Sequence, residues 1–178
     1  MPYSVRENDA DVLGYVAHHG ISTVLDIGPG SGTYADLLGH ACTLDAVEAW
    51  PDYLTEFDLT AKYRHILIHD VRTVGDLLPT RYDLVIFGDV LEHMTPTEAA
   101  DVWDWAPTVA DRGLVSLPLD HWPQHAEHGG NPHEAHDEEH LTGRDLPADP
   151  RQWDAVVQAG HQLAPAPTPV QKALGFDQ

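Results

Sequence analysis

The chain has 178 residues, of which 42% are hydrophobic, and 29 Asp and Glu against nine Lys and Arg give a formal net charge of −20. That length suits one domain with a buried core, and so acidic a surface repels phosphate backbones; the basic residues Lys62, Arg64, Arg72 and Arg81 are scattered among acids, which argues against a nucleic-acid partner. No apolar run approaches a membrane span and the N-terminus lacks a signal-peptide core, while the single cysteine, Cys42, excludes an intrachain disulfide and reads as a small buried side chain in a reducing cytoplasm.

In chain order, Glu7 to His19 carry Val12, Leu13 and Val16 at helical spacing, with Gly20 as a stop. Thr23 to Ile27 predicts the first strand. It runs into Asp26-Ile27-Gly28-Pro29-Gly30-Ser31-Gly32, a tight turn that opens a helix reaching to about His40, with Ser31 or Thr33 as its cap. Glycines at alternate positions let the backbone bend and approach a ligand closely, although such turns also occur without one. The dinucleotide fingerprint would need a glycine at Thr33, so a nicotinamide dehydrogenase is the weaker reading.

Thr43 to Val47 predicts the second strand, ending at Glu48, whose carboxylate suits a ribose diol because it accepts from both hydroxyls. Pro51 then falls in the first turn of a helix. Trp50 suits the face of an adenine or plain packing. The third strand is His65 to Ile68, followed by Asp70, a ligand acceptor or a helix cap. Leu84 to Phe87 is an unbroken apolar run, as in a strand buried on both faces. Thr95 and Pro96 start a helix over Thr97 to Val109, Asp111-Arg112-Gly113 reads as a turn, and Leu114 to Leu117 is the fifth strand. Strands alternating with helices predict an α/β fold with a doubly wound, mostly parallel sheet.

Two blocks resemble motifs of the class I S-adenosylmethionine-dependent methyltransferases. One is the Asp26 to Gly32 loop. The other is Asp83-Leu84-Val85-Ile86-Phe87-Gly88-Asp89-Val90-Leu91-Glu92-His93, and the resemblance covers about Val24 to Pro118. It implies a Rossmann-like sheet of order 3-2-1-4-5. It also implies S-adenosyl-L-methionine held by Asp26, Gly28, Gly30 and Gly32 at the methionine end, by Glu48 at the ribose, by Asp70 and Val71 at the adenine, and by Trp50 and Gly88 nearby. Asp89, Glu92 and His93 resemble half of the divalent-metal site of metal-dependent O-methyltransferases. There a later histidine completes the set, and they would share one face if a helix began by Val90.

From Asp120 to His140 six histidines stand among acids, glycines and prolines, which reads as a loop with one short helix at His133 to His140. It would supply a general base, bind a metal or act only as a solvated lid. Within it, Gly130-Asn131-Pro132-His133-Glu134-Ala135-His136 resembles an element of some bacterial and phage methyltransferases. Arg151 to Ala159 predicts a helix. Ala164 to Pro169 is extended polyproline, and Ala173 to Asp177 resembles the lead-in to a sixth strand. The family's antiparallel strands six and seven are missing or divergent, which would leave an edge open to a second copy or a partner subunit.

The chain therefore reads as one methyltransferase-like domain over 1–178: a core at 20–119, the histidine-rich loop at 120–140 and a proline-rich segment at 141–178. The expected activity is methyl transfer to a small-molecule acceptor, an oxygen, with His93, His121 and His125 as candidate bases. The alternative is a non-catalytic relative that binds the cofactor or a metal within a complex.

Overall fold

The computed structural model describes residue 6, residues 8–78, 80–117 and 129–135, and the backbone of 154–155. Five parallel strands form the centre: β1 Thr23–Ile27, β2 Thr43–Glu48, β3 His65–Ile68, β4 Tyr82–Gly88 and β5 Ala110–Ser116. Their order is 3-2-1-4-5, as the family resemblance implied. The strand order reverses between β1 and β4, and the crevice outside the carboxyl ends of the strands at that point is where such sheets bind ligands.

The alternation along each strand builds two cores. Val24, Leu84 and Ile86 point to one face. There they meet Val12, Tyr15 and Val16 of α1 (Asp9–His19) and Leu38 of α2 (Thr33–Leu38). Leu25, Ile27, Val85 and Phe87 point to the other, where Ala99 and Val102 of α5 (Pro96–Trp105) cover them. The short helices α3 (Asp52–Glu56) and α4 (Leu59–Lys62) follow β2 and place Tyr53 and Leu59 in the first core. Gly20 ends α1 in the left-handed conformation, and Thr95 with Glu98 forms a capping box at the start of α5. Cys42 is buried, as expected.

Several local expectations change. Neither Ser31 nor Thr33 caps α2; Gly32 holds that position at φ 82°, because the turn needs a left-handed residue there more than it needs a side-chain acceptor. Asp111, Arg112 and Gly113 belong to β5, with Arg112 opposite Leu84 and Gly113 opposite Val85. Their polar character marks the exposed start of a strand, and Arg81 reaches across to Asp111 at 2.7 Å. Where a helix was expected at Arg151 to Ala159, residues Asp154–Ala155 form β6, parallel to β5 through Leu114↔Asp154 and Val115↔Ala155. A free strand edge supplies ladder partners that local periodicity does not register, so the outer side of β5 is met over these two pairs. The expected polyproline run and the lead-in to a further strand lie outside the described residues.

Candidate functional site

The residues that follow β1, β2, β3 and β4 line one cleft at the reversal of strand order. Its wall includes Gly28, Pro29 and Gly30 from the first turn, Glu48 and Tyr53 after β2, and His69, Asp70, Val71 and Arg72 after β3. Gly88, Asp89, Val90, His93 and Met94 come from the end of β4. Gly28 is glycine for two reasons. Its φ is +61°, and an added Cβ would come within 2.7 Å of Val90 Cγ2. At Gly88 the cause is packing, since a Cβ there would overlap the ring of Tyr34.

Glu48 is buried, 4% exposed, yet it faces this cleft. The Trp50 backbone N–H donates to its Oε1 at 2.7 Å. Burial pushes the Glu48 carboxyl up to about 7 against the Trp50 hydrogen bond and the nearby Gly30 and Ala49 backbone, and the charge of Glu134 adds to the rise. Asp70 is held by Arg72, whose Nη2 lies 2.6 Å from Oδ2, and it also accepts the Arg72 backbone N–H at 2.9 Å. Asp70 caps the 3₁₀ turn Val71–Thr73, and it also lies on the cleft wall. The Arg72 hydrogen bonds keep its carboxyl below the usual range.

Three residues assigned to the cofactor lie off the wall. Asp26 is buried under the turn, where its Oδ2 accepts from the Tyr63 hydroxyl and its Oδ1 has no hydrogen-bond partner among the described residues. Burial raises it to about 7. Gly32 starts α2 beneath the Lys62 side chain. Trp50 packs against the first core and serves Glu48 through its backbone.

The segment expected to form a metal half-site is not an α-helix. Leu91–His93 is a single 3₁₀ turn, and Asp89 precedes it at φ 55°, so Asp89, Glu92 and His93 do not share a helix face. Glu92 is fully buried, with Oε2 unbonded among the described residues, and burial and then Asp89 hold its carboxyl well above the usual range. No three His, Cys, Asp or Glu side chains converge as metal ligands among the described residues. His121 and His125 lie outside them. His93 does line the cleft, and its Nδ1 lies 3.4 Å from the Ala135 carbonyl, an acceptor.

Sequence reasoning missed the far wall. Asn131, His133 and Glu134 line the same cleft, brought there by a 3₁₀ turn, Pro132–Glu134, rather than by a helix over His133 to His140. The resemblance of the Gly130 to His136 element was the available signal, but it carried no position in space. Tyr53 and His69 were also passed over as site residues.

The arrangement fits an S-adenosyl ligand. Gly28 and Gly30 line the cleft, a buried acid faces it from the end of β2, and an ionised acid stands at the end of β3. Neither a protein-family model nor a curated protein sequence matches the chain. Solved structures do. The magnesium protoporphyrin IX methyltransferase from Synechocystis PCC 6803 with bound S-adenosylhomocysteine aligns with a TM-score of 0.54 at 20% identity, over 65% of this chain and 57% of that one. The S-adenosylmethionine-bound amino pentose methyltransferase of calicheamicin biosynthesis from Micromonospora echinaspora gives 0.55 at 16%, over 66% and 51%. The N-methyltransferase NodS from Bradyrhizobium japonicum WM9, in complex with S-adenosylhomocysteine, gives 0.50 at 20%, over 59% and 56%. The chain has the Rossmann-like fold of the class I S-adenosylmethionine-dependent methyltransferases. It spans little more than half the length of these structures. Among the described residues no helix is long and apolar enough to cross a membrane.

Proposed function

We propose that this chain binds S-adenosyl-L-methionine in the cleft and transfers its methyl group to a small-molecule acceptor, an oxygen. The observation that carries the reading is Glu48, a buried acid at the end of β2. It accepts the Trp50 N–H and faces the same cleft as the Gly28 and Gly30 backbone. The cofactor supplies a sulfonium-bound methyl and its own leaving group, so the protein's task is alignment and proton handling. Glu48 accepts from the ribose hydroxyls, while Asp70 and the Val71 backbone meet the adenine edge. Met94 and Val90 add apolar wall. His93, on the cleft wall, is the base for an acceptor hydroxyl.

Calorimetry with S-adenosylhomocysteine and with NAD tests the cofactor. Micromolar affinity for the first alone is expected, and tighter binding of NAD would refute the assignment. Turnover of S-adenosylmethionine with a cell extract separates an enzyme from a non-catalytic binder. Full activity in excess chelator would exclude a metal role for Asp89, Glu92 and His93.

A further inference from the structure

Glu134 is 81 residues from Tyr53 in the chain, yet the Tyr53 hydroxyl donates to its Oε1 at 2.8 Å in a buried contact. Tyr53 stands in α3, the helix that follows Glu48, so this bond draws Glu134 toward the end of β2. The turn that carries Glu134 is built for the purpose. Asn131, 2% exposed, accepts the His133 N–H at 2.9 Å through Oδ1, and Ala135 accepts from His93 just beyond. Glu134, 6% exposed, is thereby anchored on both sides, and it shares the cleft wall with Glu48.

Two buried carboxylates on one wall repel each other, and the rise of Glu48 reflects that repulsion in part. A ligand that presents two hydroxyl donors relieves it, one hydroxyl to each acid. We infer that Glu134 is a second cofactor-binding carboxylate, placed by Tyr53 to accept from the ribose of the S-adenosyl group beside Glu48. The 129–135 segment then belongs to the cofactor pocket and not to an acceptor lid alone. This inference rests on the S-adenosyl reading of the cleft.

The test is calorimetry with two ligands, S-adenosylhomocysteine and 5′-methylthioadenosine, which keeps the adenine and ribose but lacks the amino-acid chain. Glu134→Gln keeps shape and removes charge, so it is expected to weaken both ligands by about 10-fold, the worth of a charged hydrogen bond. Tyr53→Phe, which frees Glu134 from its place, is expected to weaken both several-fold. Equal affinity for wild type and Glu134→Gln would overturn the inference. So would a loss confined to S-adenosylhomocysteine, which would put the carboxylate at the ligand's ammonium. Should Glu134→Gln fail to fold, Tyr53→Phe decides by the same criterion, an equal loss on both ligands. A wild-type protein that binds neither ligand overturns the S-adenosyl reading itself, a result distinct from either of these.

Discussion

Protonation of Glu48 should control cofactor affinity. Its carboxyl is pushed up to about 7 in the ligand-free cleft by burial, with Glu134 adding to the rise against the Trp50 hydrogen bond and the nearby Gly30 and Ala49 backbone. Only the ionised carboxylate accepts from the ribose at both its oxygens, since the protonated acid carries a competing O–H. With that value, roughly one tenth of the protein is competent at pH 6 and roughly nine tenths at pH 8, so apparent affinity is expected to rise about 10-fold between them. 5′-Methylthioadenosine is the suitable ligand, since it carries neither ammonium nor carboxylate, and calorimetry at half-unit steps of pH is the assay. Glu48→Gln should flatten the profile, and Glu48→Ala should cost about 1.5–3 kcal/mol at pH 8. The same shift acts on stability with the opposite sign. Between its ordinary 4.5 and about 7 the folded form holds the proton more tightly than the unfolded chain, so the ligand-free protein should lose stability as pH rises through that window. A slope that survives unchanged in Glu48→Gln would refute the role given to Glu48.

Other substitutions probe the frame around the cleft. Gly28→Ala forces a Cβ at φ +61° to within 2.7 Å of Val90 Cγ2, so it should cost about 1–3 kcal/mol in a melting experiment and weaken S-adenosylhomocysteine in parallel. Tyr63→Phe removes the hydroxyl that bonds buried Asp26; a loss of about 1–3 kcal/mol is expected, and an unchanged melting temperature would show that the bond contributes nothing net. Asp83 accepts from the Ser22 N–H and hydroxyl and from the Thr23 N–H, which hold its carboxyl at about 2, below the ordinary 3.8. Its contribution is present above 3.8 and lost as pH falls through 2. Asp83→Asn should therefore be destabilised by about 1 kcal/mol at neutral pH, with a deficit that closes near pH 2 in acid denaturation.

Much of this protein is written locally. Buried parallel strands are continuous apolar runs, and so Leu84 to Phe87 identified β4 without help from its neighbours. The turn after β1 demands left-handed backbone, which only Gly28, Gly30 and Gly32 supply cheaply, so the cleft's floor was legible too. Glu48 could be placed because an acid at the end of a recognisable strand has one position in a doubly wound sheet. Other features depended on partners distant in the chain. Asp26 looks like a ligand residue in sequence, but Tyr63 claims it from 37 residues away. Asp111 to Gly113 read as a turn until β4 offered them a ladder, and Asp154–Ala155 became a strand because β5 had an edge to pair. The second carboxylate of the cleft, Glu134, sits in a histidine-rich stretch with no periodicity at all. Tyr53 and His93 bring it to the cleft, and such long-range hydrogen bonds follow from the packed sheet, which no local pattern encodes.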